Sequence, residues 1–322
     1  MTIREASIGD AAALADVERN SPLVLGDSML AIDRGDDYFA AARLMGQTTV
    51  IVAEIAGRVV GAFCGVAHPV MLGGERRMML YIHHARILPG FQDRGIGKKL
   101  GTAFAEKYRG IADSHYWYIS RDNAHSQAFA RRAQNCWTFG PTLIGIDTAT
   151  FAGPHAGRPA MPADAPVIVS MLNAAHAGEE MFLPYTEVSL AERLDRDPAQ
   201  YGWSNVWLTQ GAVVGVWPEG ESITVRRTDR EGIVSESRGA AVLDFGYLPG
   251  GEDDVVAVLG AWCAWLTVRG MTELSIFSSP GCRHWPLLKD LGAQTPFDFW
   301  TASIPQPVEA AAGGLHVDHV YF

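Results

Sequence analysis

The sequence predicts an α+β protein built as two successive halves of similar plan. Three observations lead there. The 322 residues exceed what one hydrophobic core usually organises and suit two domains of roughly 150 residues each. Helix-like and strand-like stretches follow the same order twice, although the residues themselves barely repeat. Between the two runs, Gly153 to Pro166 carries four prolines among Gly and Ala, the chemistry of a connection. The expected division is therefore 1–152, a linker over 153–166, and 167–322.

In the first half, Ser7 to Asp10 has the residues of a helix start, and Ala11 to Val17 continues it with Ala, Leu and Val on one side. A polar, Gly-containing loop is expected next, then a short helix over Asp37 to Met45. Thr48–Ile55 and Val59–Ala67 are β-branched, apolar runs joined by the turn Ala56-Gly57-Arg58. A third strand, Met78–Leu88, follows the loop at Gly73-Gly74 and ends at Pro89, which has no N–H for a ladder. Gly97 to Tyr108 places Leu100, Ala103, Phe104 and Tyr108 at helical spacing. A strand His115–Ser120, a helix Ser126–Gln134 and one extended stretch Trp137–Phe151 complete this half.

The second half opens with Pro166 at a first-turn position, ahead of Val167, Met171, Leu172 and Ala175 on one helical face. A short helix Leu190–Leu194 is followed by strand pieces at Asn205–Leu208, Val213–Trp217, Ile223–Arg227 and Gly239–Tyr247. Asp253–Arg269 is a helix closed by Gly270. Glu273–Phe277, Trp285–Leu291 and Phe297–Ser303 then read as strand, helix, strand. The tail Leu315–Phe322 alternates like a strand and is expected at the junction of the halves, completing the first sheet.

Charge narrows the function classes. A formal net charge of -10 and pI near 5.4 exclude nucleic acid as a main partner, since phosphate backbones demand a basic face, and lean toward cationic substrates such as amines. Cys64, Cys136, Cys263 and Cys282 lie singly without ligand spacing, so reduced thiols and no metal are expected. The N-terminus lacks a signal-peptide core, and no apolar run approaches the ~20 residues of a membrane span. A cytoplasmic monomer or homodimer, not associated with a membrane, is the expectation.

The informative stretch is Ile87-Leu88-Pro89-Gly90-Phe91-Gln92-Asp93-Arg94-Gly95-Ile96-Gly97-Lys98-Lys99-Leu100. A strand stops at a proline, a loop carries Gln-x-x-Gly-x-Gly, and a helix begins at once. Two glycines let backbone N–H groups converge without Cβ interference, and the helix N-terminus adds its positive dipole end. Such a nest suits a pyrophosphate. A dinucleotide fingerprint would need a third Gly where Leu100 stands, and a P-loop would need Lys-Ser/Thr where Ile96-Gly97 stands.

Strand, Pro, Gln-x-x-Gly-x-Gly and helix, then strand, Asn123 and helix, together resemble the GNAT superfamily of acyl-CoA N-acyltransferases, over residues 1 to about 150 in element order. The resemblance implies two tandem GNAT-type domains, each a splayed mixed sheet flanked by helices, with CoA's pantetheine between the strands ending at Leu88 and Ser120. The backbone of Ala85, Arg86 and Ile87 would pair with the pantetheine. Gln92, Asp93, Arg94, Gly95, Ile96, Gly97 and Lys98 would hold the pyrophosphate, and Asn123 and Ser126 the far side of the cofactor. By alternation Tyr81, His83, Ala85 and Ile87 share one strand face. Tyr81 stands where many family members carry a catalytic glutamate, which leaves His83 as the expected base for an amine of pKa about 10. Ala130 stands where a leaving-group tyrosine is usual, so Tyr81, Ser126 or solvent would reprotonate the thiolate. Phe129 and Trp137 could line the site, though aromatics at such spacing are more often core.

In the second half the equivalent loop, Tyr247-Leu248-Pro249-Gly250-Gly251-Glu252-Asp253-Asp254, lacks the glycine pattern and puts three acids where a pyrophosphate would sit. That half is expected to be degenerate, a wall of the substrate site or a structural partner. The expected activity is transfer of an acetyl or short acyl group from acetyl-CoA, or another short acyl-CoA, to a primary amine on a small molecule. The alternative is a CoA-binding sensor or interaction module without turnover.

Overall fold

Strands dominate the first half. They are β1 (Thr2–Glu5), β2 (Leu23–Leu25), β3 (Ser28–Asp33), β4 (Thr48–Ile55), β5 (Arg58–Leu72), β6 (Glu75–Ile87), β7 (Ser114–Ser120), β8 (Asn135–Trp137) and β9 (Thr142–Asp147). Among them lie α1 (Ala11–Arg19), α2 (Ala40–Met45), α3 (Ile96–Lys107) and α4 (Ala124–Ala130). The second half contributes β10 (Arg158–Pro159), β11 (Val206–Leu208), β12 (Ala212–Trp217), β13 (Thr224–Thr228), β14 (Val234–Ser237), β15 (Gly239–Tyr247), β16 (Glu273–Ser278) and β17 (Ala293–Thr301). Its helices are α5 (Ala165–Ala175), α6 (Glu187–Leu194), α7 (Glu252–Val268) and α8 (Trp285–Leu288). The structure is a computed structural model. It describes residues 1–25, 27–131, 135–137, 140–301 and 314–318, and the side chains of Leu25, His125, Phe129 and 135–137 lie outside that description.

Among the described residues one mixed sheet of 13 strands runs through both halves, in the order β1-β4-β5-β6-β7-β17-β9-β16-β15-β12-β11-β10, with β8 on β17. This is the α+β tandem plan, with an exchange at its centre. β17 pairs with β7, so the second half's last strand completes the first half's sheet (Phe299 opposite Tyr118). In return β9 pairs with β16. The strand expected to complete the first sheet was Leu315–Phe322. Instead Leu315 bridges Glu180 and its N–H donates to Ser279 Oγ, within the second half, while 319–322 lie outside the described residues. The run Ala293–Thr301, rich in Thr, Phe and Trp, pairs with both β7 and β9 and so joins the two halves of the sheet.

Two further expectations are corrected. The extended stretch Trp137–Phe151 is two short strands with a turn after Asp147, where the Asp147 carboxylate accepts from the amides of Ala149 and Thr150. The loop after the first helix contains β2 and β3, which join β13 and β14 in a separate four-stranded sheet across the halves. Alternation in Ser28–Asp33 is short and partly exposed, so only its partner strand makes it legible.

Two faces of the large sheet are covered differently. Leu14 and Val17 of α1 and Leu100 and Phe104 of α3 pack on one face of β4–β6. On the other face Val66, Met79, Tyr81 and Tyr116 share a core with Ile168, Met171 and Leu172 of α5 and Leu190 and Leu194 of α6. The halves therefore bury apolar surface against each other. Arg43–Asp197 at 2.8 Å and the Met181 N–H to Met71 carbonyl bond at 2.7 Å add polar ties across the same junction.

Candidate active site

β6 and β7 are parallel neighbours for three residue pairs only, ending at Tyr81–Tyr116. Beyond that point they splay. β6 keeps its other partner, β5, through Ala62–Arg86 and Gly61–Ile87, but with a bulge between Ala62 and Cys64. His84, at φ 46, takes up the extra residue in a left-handed conformation. The bulge breaks the expected alternation. Tyr81 and His83 still share a face, their rings stacked at 5.0 Å, whereas Ile87 packs with Phe63, Leu80 and Ile82 on the α3 side.

The splay opens a cleft of about 330 Å³. Of the residues singled out by sequence, Tyr81, His83, Ala85, Arg86, Ile87, Gln92, Asp93, Gly97, Asn123 and Ser126 line it. Arg94, Gly95, Ile96 and Lys98 occupy the same loop and first turn without lining the cleft. Ile96 is buried in the core, so only its backbone could serve a ligand. Sequence reasoning missed His84, Trp117, Tyr118, Phe297 and, from the small sheet, Leu23 and Ile32. Phe297 and Ile32 reach the cleft through pairings between the halves that no local pattern reveals. The side chains of Phe129 and Trp137 lie outside the described residues.

The loop is built as its residues require. Leu88-Pro89-Gly90-Phe91 closes with the Phe91 N–H on the Leu88 carbonyl at 3.1 Å, with Gly90 at φ 82, the conformation a type II turn needs. Gly95, at φ 73, caps α3. No acid occupies the first turn of α3, and Lys98 and Lys99 are exposed there, so its free amides face solvent with cations beside them. On the opposite wall Asn123 Oδ1 accepts from the Ser126 amide at 3.1 Å and starts α4. Ala130 is buried against Ile119 and Trp300 and carries no proton to give.

The chemistry centres on a buried chain of polar groups. Glu18 holds Arg34 through a 2.7 Å ion pair, and the Arg34 guanidinium donates to His84 Nε2. A guanidinium has no lone pair, so His84 Nε2 must accept. Neutral His84 then carries its proton on Nδ1 and donates it to His83 Nδ1. That leaves the His83 proton on Nε2, which is buried and has no hydrogen-bond partner among the described residues. Burial, then His84 and Arg34, hold the His83 imidazole well below its usual range, and burial with Arg34 and Arg86 does the same for His84. Burial likewise pushes the Tyr81 phenol up.

Tyr118 lines the cleft and also a second pocket of about 480 Å³. The first half gives that pocket Met45, His68 and Tyr116, and the second half gives Phe182, Tyr185, Arg196, His316 and Asp318. The equivalent splay of the second half, between β15 and β16, is filled. Phe182, His316 and Val317 pack against Val242, Phe245 and Phe277, leaving a void of about 10 Å³. Glu252, Asp253 and Asp254 occupy the first turn of α7.

Comparison with known proteins supports this geometry. Residues 25–135 match the model of the acetyltransferase (GNAT) family. No curated protein matches the chain in sequence. Among solved structures, Saccharomyces cerevisiae N-myristoyltransferase with bound myristoyl-CoA and inhibitors has a TM-score of 0.70 at 7% identity, covering 98% of this chain and 83% of that one. Another structure of that enzyme with bound myristoyl-CoA has a TM-score of 0.64 at 8% identity, covering 98% of this chain and 86% of that one. Residues 25–135 thus match a GNAT acetyltransferase domain, and the chain shares along nearly its whole length the tandem α+β fold of that myristoyltransferase.

Proposed function

We propose that this protein transfers an acetyl or other short acyl group from acyl-CoA to a primary amine of a small molecule. The observation that carries the reading is the cleft between β6 and β7, which leads past Tyr118 to a pocket walled by the second half. Acyl-CoA would lie in the cleft with its pyrophosphate on the α3 amides, and the amine would enter from the second pocket. On this reading residues 1–152 hold the cofactor, 153–166 connect, and 167–322 shape the acceptor site. The amine nitrogen attacks the thioester carbon, the C–S bond breaks, the thiolate takes up a proton and the nitrogen releases one.

In this reading His83, which lines the cleft, acts as a hydrogen-bond donor in place of the base its residue type suggests, and its buried Nε2–H would stabilise the oxygen or sulfur that gains charge. An imidazole held so far below its usual range takes a proton from an amine poorly, so the amine proton would leave to solvent. A panel of amines with acetyl-CoA, followed by release of the CoA thiol, tests the activity. Tight acetyl-CoA binding without thiol release on any amine would favour a sensor or interaction module.

A further inference from the structure

We propose a second site, adjoining the larger pocket through His316: a divalent transition-metal site in the second half, of the kind that takes Zn²⁺, with His176, Glu179 and His316 as ligands. Two segments far apart in sequence converge there. His176 caps α5, Glu179 follows one turn on, and His316 comes from the tail. Their donor atoms lie 2.7 Å (His176 Nδ1–Glu179 Oε2), 3.6 Å (His316 Nδ1–Glu179 Oε2) and 3.3 Å (His316 Nδ1–His176 Nδ1) apart. Bonds of 2.0–2.1 Å in a tetrahedron place ligand atoms about 3.3 Å apart. A third segment, after β16, brings His284 Nδ1 to 3.4 Å from the other oxygen of Glu179, and Cys282 lies in the same group.

The hydrogen bonding asks for a cation at this point. His176 Nε2 meets the Phe245 carbonyl at 2.9 Å, and a carbonyl only accepts, so the ring proton is on Nε2. This is the support that a metal-bound imidazole usually has behind it. His176 Nδ1 then turns a lone pair toward a carboxylate, two acceptors face to face. One proton between them would satisfy that contact alone. Glu179 Oε1 and His284 Nδ1, both buried and 3.4 Å from each other, make no hydrogen bond among the described residues, so the carboxylate remains underpaired at this point. A metal ion among the three ligands accounts for the convergence, and the adjoining void of about 10 Å³, lined by His176 and His316, has room for about one water as fourth ligand.

The other dense cluster, Cys64, His83 and His84, makes a useful contrast. Arg34 already occupies His84 Nε2 and Arg86 lies close by, so two fixed cations oppose a dication there. At Glu179 the nearest fixed charge is the carboxylate itself, and imidazole with carboxylate suits Zn²⁺ better than Mg²⁺ or Ca²⁺. A metal here would pin the tail to α5 and keep the second cleft closed. The sequence hid the site because its ligands are spread over 176–316, with only His176 and Glu179 near in the chain.

The experiment uses the full-length chain freed of any affinity tag, stripped with a chelator and titrated with Zn²⁺ and Co²⁺. We expect one ion per chain, a higher melting temperature with Zn²⁺, and the visible absorption of four-coordinate Co²⁺. His316→Gln, at the partly exposed ligand, and Glu179→Gln should each weaken Zn²⁺ binding by about 100-fold or more. Circular dichroism and acetyl-CoA binding establish that each variant folds, and His83→Ala should leave Zn²⁺ binding unchanged. The site is overturned if the wild-type chain takes up no Zn²⁺ and keeps its melting temperature, or if folded Glu179→Gln binds Zn²⁺ as well as wild type.

Discussion

A single proton decides what His83 can do. Arg34 and His84 fix that proton on Nε2, so the residue holds a buried N–H without a partner among the described residues. Two substitutions separate a donor from a base. His83→Ala should lower kcat by about 10²–10³-fold, as loss of one donor to a developing oxyanion does, with acyl-CoA affinity little changed. His83→Gln keeps an N–H but has no basic nitrogen, so as a donor it should restore a tenfold or larger part of the loss. A glutamine variant no faster than the alanine one would return His83 to the role of base. Arg34→Met should mimic part of the effect through the tautomer, with Glu18 then buried and unpaired.

At the scale of elements, the loop from Leu88 to Gly97 and the start of α3 form one device. Gly95→Val forces a β-branched residue into φ 73, at a cost of about 1–2 kcal/mol, and disturbs the amides proposed to hold the pyrophosphate. We expect acetyl-CoA affinity to fall about tenfold or more by calorimetry, with one binding site per chain in the wild type. Gly250→Val makes a comparable change in the corresponding loop of the second half, at φ 86, and should leave that affinity within about twofold. Two equivalent sites per chain, or equal losses in both variants, would count against an acidic α7 that excludes the cofactor. The bulge at His84 belongs to the same scale. It turns Ile87 to the helix side and leaves Ala85 and Arg86 on the open edge of the splay, where a ligand could pair.

For the whole molecule, the strand exchange makes each half depend on the other. Phe299 in β17 is fully buried and stacks on Tyr116 at 5.4 Å, yet it does not line the cleft. Phe299→Ala should cost ~3–5 kcal/mol, lower the melting temperature on the order of 10 °C and weaken acetyl-CoA binding by loosening β7. Unchanged cofactor affinity in the folded variant would show that the halves act independently. Acid should destabilise the molecule earlier than paired carboxylates alone would. His83 and His84 stay neutral when folded, whereas the unfolded chain protonates them near 6.5. Below that pH the unfolded state binds more protons, so their contribution is complete above 6.5 and is lost as pH falls toward the depressed folded values. Melting temperatures recorded from about pH 7.5 to about pH 5 should decline, and replacing both histidines with Gln in a variant that folds should flatten the decline.

The sequence by itself determined the local pieces: the strands from Thr48 to Ile87, the loop through Gly95, the helix after it, the repeat of element order and the acids that start α7. Each depends on contacts within a few residues, on turn chemistry, hydrophobic period or helix ends, and those are written along the chain. Only the tertiary structure decided that Ala293–Thr301 enters the first half's sheet, that the tail fills the second cleft, that Phe297 and Ile32 join the cleft between β6 and β7, and that His176, Glu179 and His316 meet. Those outcomes depend on which distant strands pair and which side chains then fill the spaces between them, a choice made by burial over the whole chain and invisible in any local pattern.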